Sequence, residues 1–172
     1  MKGFGRKGFT LFETMVSVVL LTVLAGVLAI LFHAMLLNWN SAETRSGLDI
    51  PLNRGMEEIA QDLRKAKQIQ STNDEIRFTH DNNTFFIYYF YNVSDSYPLA
   101  FNQSSYMIQK ATLSGGIGSG FSFGSGPVIL TNVLPPPTSD LSLSGNILTV
   151  DVSLSRLDET IRSRTQIRPR NL

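Results

Sequence analysis

The feature that most constrains this chain is a long uncharged apolar segment that begins just after a single carboxylate. Residues 15–37 contain no Asp, Glu, Lys or Arg, and no such residue occurs between Glu13 and Glu43. At about 1.5 Å per residue, a helix of this length spans roughly 30 Å of hydrocarbon. The apolar core of an ordinary secretory signal has only about 7–15 residues. The segment therefore predicts a retained membrane-spanning helix over about residues 14–37.

The charges before this segment predict its orientation. Lys2, Arg6 and Lys7 all precede Gly8, and basic flanks stay on the cytoplasmic side of a membrane. We expect a single pass, with a cytoplasmic N-terminus and an exported C-terminal part. Without these three residues the chain has 12 basic and 14 acidic side chains, against a net charge of +1 for the whole. Net charge therefore gives no support to bulk polyanion binding.

Glu13 calls for a physical reason, because a carboxylate in a membrane helix costs about 2–3 kcal/mol at the centre and less near the interface. One interpretation places Glu13 at the cytoplasmic edge, where its side chain reaches water. The other pairs it with a cation from another subunit. The residues alone leave both open.

The segment Gly8-Phe9-Thr10-Leu11-Phe12-Glu13 resembles the processing site of type IV prepilins and type II secretion pseudopilins. This resemblance implies that residues 1–8 form a basic leader and that a prepilin peptidase cuts between Gly8 and Phe9. It also implies N-methylation of Phe9 and an assembly role for Glu13, which would help to neutralise the N-terminal amine of a neighbouring subunit. Gly8 presents no side chain, which suits close approach of a protease to the backbone.

The amphipathic part of the long helix follows the apolar segment. Apolar side chains recur at spacings of three and four over residues 43–67, which places them on one helical face. Gly47 and Pro51 interrupt this pattern and predict a kink or short break. We expect one helix over residues 9–67 that ends near Lys67.

Residues 68–172 are expected to form an exported antiparallel β-sheet domain. The predicted strands lie at 75–79, 84–92, 106–113, 128–134, 146–155 and 160–167. Pairing Leu154 with Ile161 places Asp151 opposite Arg164. The predicted fold class is α+β: a long N-terminal helix, membrane-spanning in its first half and amphipathic in its second, packed against an antiparallel sheet. This layout resembles pilin subunits.

Within that family, the chain length, the aromatic strand after the helix and the terminal hairpin resemble J-type pseudopilins and W-type minor pilins. The resemblance implies a structural assembly subunit of a type II secretion pseudopilus or type IV pilus, held in the bacterial inner membrane before it enters a filament. The implied partners are prepilin peptidase, other pilin or pseudopilin subunits, the inner-membrane assembly platform and the membrane itself. No enzyme activity, cofactor, metal or nucleic acid is expected. A DNA-uptake or adhesion pilin is the nearest alternative.

Three further patterns each have a functional and a structural interpretation. The glycine-rich stretch 115–126 lacks the lysine of a phosphate loop and predicts a mobile surface loop. The aromatic strand 84–92 could stack bases, but it predicts a core on one sheet face with tyrosines at its rim. Four arginines share one parity near the C-terminus and could grip DNA, although local acid pairing is favoured: Arg162, Arg164, Arg168 and Arg170.

Catalysis has little support in the sequence. His33 lies in the apolar segment and predicts an interfacial or subunit-packing residue. His80 and Asp81 are typical of turn chemistry, and no HExxH or SxxK pattern occurs. Trp39 fits an interfacial aromatic belt. A single-span anchored periplasmic enzyme or binding protein remains the alternative from another functional class.

Overall fold

The computed structural model describes residues 10–72, 74–81, 83–157 and 159–169. The described part contains one helix and eight strands, in this order along the chain: α1 (Leu11–Lys65), β1 (Gln68–Thr72), β2 (Glu75–Thr79), β3 (Phe85–Tyr91), β4 (Tyr106–Thr112), β5 (Val128–Val133), β6 (Asp140–Ser144), β7 (Ile147–Arg156) and β8 (Glu159–Ile167). The predicted α+β fold class is confirmed. The chain divides into two compact units, Met1–Glu43 and Thr44–Leu172, which are described separately.

The helix α1 runs through Pro51 without interruption, so of the predicted kink or short break the break is wrong, and the kink stays a prediction. Pro51 has no N–H to donate to the carbonyl of Gly47, and its ring crowds that carbonyl. Leu48 and Leu52, on either side of this weak point, are both 3% exposed. Their burial in the core stabilises the two turns that the proline weakens. The helix ends with Arg64 and Lys65 in its last turn, where positive charge is favourable.

The strands form one antiparallel sheet in the order β1-β2-β3-β4-β5-β7-β6, and β8 pairs with β7. One edge of β7 is paired with β8 along its length. The other edge is shared, because β6 pairs with its first half and β5 meets it at Leu154. Ser71 of β1 donates a hydrogen bond of 3.0 Å to the carbonyl of Leu141 in β6. The sheet therefore curls until its first strand meets β6.

The main core lies between the concave face of this sheet and the second half of α1. The helix contributes a buried row at spacings of three and four: Leu48, Leu52, Met56, Ile59, Ala60 and Leu63. The sheet contributes alternate residues of each long strand, and in β7 these are Leu148, Val150, Val152 and Leu154. The predicted inward row of β7 is thus confirmed, and burial of this apolar surface is the main stabilising term of the unit.

The opposite sheet face carries a second apolar group, here called the outer cluster: Ile87, Tyr89, Ala111 and Leu113, with Phe85, Tyr91, Phe121 and Phe123 packed against them. Phe121 and Phe123 come from the glycine-rich loop between β4 and β5, so this loop covers the sheet. Strand β3 is consequently buried on both faces. The prediction of a one-faced core with tyrosines at the rim is wrong for Tyr88 and Tyr89, which are at most 1% exposed.

Candidate functional site

The predicted assembly carboxylate lies in the first turn of α1. The Glu13 backbone N–H donates to Thr10 Oγ1 at 3.3 Å, and the Thr10 backbone N–H donates to Glu13 Oε2 at 3.4 Å. This reciprocal pair is a capping box, in which two otherwise unpaired helix N–H groups gain side-chain acceptors. Thr10 is therefore the N-cap residue, and Glu13, the third helical residue, completes the capping box of its own helix. Its negative charge also lies at the positive end of the helix dipole.

The hydroxyl groups in the apolar segment are satisfied by the helix itself. Thr14 donates to the carbonyl of Leu11 at 2.8 Å. Ser17 donates to the carbonyl of Glu13 at 2.7 Å, and Thr22 Oγ1 donates to the carbonyl of Val18. Back-bonding of this kind lets Ser and Thr lie in a helix without a polar partner from outside. These residues therefore do not interrupt the apolar character of the segment.

The side chains of the first unit are exposed along the whole apolar segment. Its most hydrophobic window has a mean hydropathy of 2.8 and none of that window is buried. By length and composition, α1 is the one helix in the described ranges that is able to cross a membrane. Exposed apolar surface on this scale requires lipid or protein around it. His33 and Trp39 are exposed in the same unit, and their predicted interfacial roles stay predictions.

In the second unit, Asp62 on α1 joins the helix to the sheet. Tyr88 of β3 donates its hydroxyl to Asp62 Oδ2 at 2.6 Å, and Lys110 Nζ of β4 donates to the same oxygen at 2.5 Å. His80 Nε2 lies 2.9 Å from the Asp62 carbonyl oxygen. Burial, followed by the hydrogen bond and charge of Asp62, raises the pKa of Tyr88 well above its usual range. The phenol is therefore a neutral donor at physiological pH.

Aromatic rings surround the other half of this ion pair. Lys110 Nζ lies 4.9 Å from the Phe86 ring centroid, 5.8 Å from that of Tyr88 and 5.9 Å from that of Phe78. Such cation–π contacts gain strength where water is excluded. The ammonium group is thus held between the Asp62 carboxylate and three aromatic rings.

A second polar group lies beneath the glycine-rich loop. Arg77 Nε pairs with the buried Glu75 at 2.7 Å, and its NH1 donates to the carbonyls of Ile117 and Ser119. Tyr97 donates to the other oxygen of Glu75 at 3.0 Å. Arg77 therefore fastens residues of the loop to strand β2. The loop is a surface loop, as predicted, although Phe121 and Phe123 pack against the sheet; its mobility stays a prediction. A strand follows the loop where a phosphate loop would need a helix.

Of the four C-terminal arginines, Arg162 and Arg164 share one exposed face of β8, as predicted. The register Leu154 to Ile161 and Asp151 to Arg164 is confirmed. The closest partner of Asp151 is Arg162, whose Nε and NH2 donate to both carboxylate oxygens at 2.7 Å. Arg164 Nε lies farther away, at 3.8 Å. The favoured local acid pairing is present for Arg162 and is weaker for Arg164.

Some sequence-predicted positions lie outside the described residues, namely Gly8, Phe9 and Arg170. Their roles stay predictions, as does the assembly role of Glu13. The sequence interpretation missed Thr10, although Thr10-Leu11-Phe12-Glu13 fits the Ser/Thr-x-x-Glu pattern of a capping box. It also missed Asp62, which has no sequence signal, since its partners are 26 and 48 residues away.

Within the described ranges, no group of three His, Asp or Glu side chains could hold a metal ion. The arrangement as a whole offers a capped apolar helix and a well-packed sheet.

Comparison with known proteins gives one match. The prokaryotic N-terminal methylation motif matches residues 3–29, which include Glu13 and the first half of the apolar segment. Comparisons with curated proteins and with solved structures give no significant match. Together with the apolar helix and the antiparallel sheet, the motif supports a type IV pilin-like protein that is anchored in a membrane.

Proposed function

We propose that this chain is a minor pilin or pseudopilin, a structural subunit of a filament and not an enzyme. The observation that carries the proposal is the coincidence of three features at one place. The methylation motif covers residues 3–29, the same stretch begins the helix able to cross a membrane, and Glu13 is the acidic residue of the first turn.

Processing at Gly8 would change the electrostatics of this end of the helix. A cut between Gly8 and Phe9 removes Lys2, Arg6 and Lys7 with the leader and creates an amine on Phe9. Glu13 Oε2 lies 3.4 Å from the Thr10 nitrogen, one residue from that amine. The carboxylate is thus held by the capping box beside the end of the helix, where an amine of the same or a neighbouring subunit can offset its desolvation.

The subunit would wait in the bacterial inner membrane with its N-terminus in the cytoplasm and its sheet domain in the periplasm. Assembly would then draw it into a periplasmic or extracellular filament with other pilin subunits. Energy for that step would come from the assembly platform, since the sequence contains no P-loop pattern. The aromatic strand after the helix and the β7–β8 hairpin favour a J-type pseudopilin of a type II secretion system or a W-type minor pilin.

The N-terminus of the mature protein tests the proposal. We expect mass spectrometry of the protein from its native host to find N-methyl-Phe9. We expect Gly8→Val to leave the intact Met1 form, because a branched side chain prevents close approach of the peptidase to the backbone. Gly5→Val, in the same leader, is the matched control and should still be cleaved.

A wild-type protein that keeps Met1, or that is cleaved at a distant site, would contradict the proposal and favour an anchored periplasmic enzyme or binding protein. Normal mature-size protein from Gly8→Val would refute the assignment of the cleavage site.

A further inference from the structure

Strand β8 has a complete unpaired edge. Its pairing with β7 runs from Glu159, which lies opposite Arg156, to Ile167, which lies opposite Leu148, with no register shift. No other described strand pairs with it. By contrast, β1 and β6 approach each other through the Ser71 hydrogen bond. The edges of β1 and β6 thus approach each other without backbone pairing, whereas β8 pairs on one edge with β7 and with no other described strand.

The backbone groups that face this open edge follow from the pairing of Ser153. Its carbonyl accepts from the Leu134 N–H, and its N–H donates to Ser139 Oγ at 3.0 Å. Both groups therefore point away from β8. Because Ser153 lies opposite Arg162, this is a pair without mutual hydrogen bonds. The N–H and C=O of Arg162 thus point to the open edge. By the two-residue period, so do those of Thr160, Arg164 and Gln166.

Two of these residues, Arg162 and Arg164, place basic side chains that are 60% and 59% exposed on the convex face. Arg168, just beyond the end of β8, is also exposed. Asp151 is the facing carboxylate and is engaged by Arg162 through both oxygens. Within the described ranges, no ion pair is formed by Arg168, and Arg164 has only the longer contact. Glu159 is the first residue of β8, and positive charge therefore predominates at the other end, around Arg164 and Arg168.

We propose that the β8 edge binds an extended acidic segment of another protein by strand addition. The added strand would take its backbone hydrogen bonds from Thr160, Arg162, Arg164 and Gln166. Its outward side chains would lie directly across from the arginines, where carboxylates are favoured. Its inward side chains would lie beside Ile161 and Ile167, where β-branched residues fit. The expected ligand is therefore an extended segment, about as long as β8, in which acidic and β-branched residues alternate.

This inference stands on the sheet domain alone and does not depend on the N-terminal motif. An exposed row of arginines on an edge strand is also compatible with two simpler roles. The charges can prevent self-association of the edge, or the row can bind DNA backbone through phosphates. Strand addition differs from both roles, because it requires backbone donors as well as charge.

The test uses the full-length chain in detergent micelles and a fluorescein-labelled peptide of alternating glutamate and valine. We expect binding by fluorescence anisotropy. We also expect new hydrogen-exchange protection at the backbone N–H groups of Thr160, Arg162, Arg164 and Gln166. The N–H groups of Ile161 and Ser163, which already face β7, are internal references and should change little. The affinity of this peptide is compared with those of two control peptides. One has N-methyl groups on alternate backbone nitrogens, and the other has glutamine in place of glutamate.

Both control peptides should bind at least about tenfold more weakly, a difference of about 1.4 kcal/mol. Binding of the N-methylated peptide at full strength would overturn strand addition. So would equal affinity for a single-stranded oligonucleotide, which would assign the row to nucleic acid. Absence of peptide binding would overturn the proposal outright and leave edge protection as the role of the arginines.

Two variants of the chain complete the test. Gln166→Pro keeps every arginine but removes one edge-facing N–H, and proline is tolerated at such positions. It should weaken peptide binding about tenfold or more, whereas the matched variant Gln166→Thr should not. Arg164→Gln should weaken binding in a salt-dependent way. If circular dichroism shows that Gln166→Pro does not fold, Arg164→Gln and the N-methylated peptide still decide the outcome, and unchanged binding in Arg164→Gln would contradict the proposal.

Discussion

At the scale of single residues, Asp62 is the polar side chain that most firmly joins helix to sheet. Asp62→Ala leaves the buried Tyr88 hydroxyl without its acceptor and Lys110 without its carboxylate. We expect it to lower the free energy of unfolding by about 2–4 kcal/mol. Denaturant unfolding of the chain in micelles, followed by near-UV circular dichroism, measures this. The exposed Glu57 of the same helix supplies the control Glu57→Ala, and equal stability of the two variants would show that the network is unimportant.

Tyr88 gives the protein a predictable response to alkaline pH. Burial first, and then Asp62, raises the pKa of Tyr88 above its usual value, whereas in the unfolded chain it titrates near pH 10. Above about pH 10 the unfolded state loses a proton that the folded state keeps, so stability falls by about 1.4 kcal/mol per pH unit. The variant Tyr88→Phe has no phenol at this position, so this fall in stability does not occur in it.

Between pH 9.5 and 11.5 the stability difference between the wild type and Tyr88→Phe should therefore change by about 2 kcal/mol, to the disadvantage of the wild type. Below about pH 9 the difference should be constant. Parallel curves for the two proteins throughout the alkaline range would contradict the assignment. The remaining tyrosines are present in both proteins and cancel in the comparison.

At the scale of elements, close contact between α1 and β5 depends on Gly55. A Cβ at this position would lie 2.7 Å from Leu130 Cγ and 3.2 Å from the Ile129 carbonyl oxygen. Leu130 is 1% exposed, so it has little room to move. We expect Gly55→Ala to destabilise the protein by about 1–2 kcal/mol, because overpacking outweighs the gain of up to about 1 kcal/mol in helix propensity.

The same helix supplies the matched control for Gly55. A Cβ at Gly47 would meet only Arg156 NH1, at an ordinary 3.8 Å. Gly47→Ala should therefore stabilise the protein by about 0.5–1 kcal/mol. Both variants are compared by denaturant unfolding under one set of conditions. A stabilising Gly55→Ala would mean that β5 can move away from the helix without cost.

Elements with a strong local pattern could be predicted, and those held only by neighbours could not. The alternation of Leu148, Val150, Val152 and Leu154 with polar residues was sufficient to predict strand β7 and its register with β8. Strands β1 (Gln68–Thr72) and β6 (Asp140–Ser144) were not predicted. They are short and largely polar, and their strand conformation depends on pairing with β2 and β7.

At the scale of the whole molecule, the proposed assembly role of Glu13 can be separated from its role as a helix cap. Glu13→Ala removes the charge and the hydrogen bond to Thr10. Glu13→Gln keeps an acceptor for the cap but removes the charge, and glutamine is accepted in a capping box. We expect both variants to be cleaved normally, yet to be depleted about tenfold or more in sheared filament fractions, since a neighbour's amine loses its partner.

Glu43→Ala, on the same helix beyond the apolar segment, is the control and should assemble as the wild type does. Immunoblots of sheared fractions, normalised to total mature protein, give the measurement. Normal incorporation of Glu13→Gln would show that the charge of Glu13 is not needed for assembly and that its capping role is sufficient. Normal incorporation of Glu13→Ala would show that Glu13 has no role in assembly.

Local periodicity and charge placement were enough to predict one set of features from the amino-acid sequence. These are the apolar helix, the position of Glu13 in its first turn, the α+β fold class and the β7–β8 register, since each follows from spacings of two, three or four residues. Tertiary structure alone decided the features that join distant positions. It brought Asp62 to Lys110, folded the glycine-rich loop over the outer cluster, closed β1 towards β6 and left the β8 edge open, because such contacts depend on which surfaces meet after the sheet has curled.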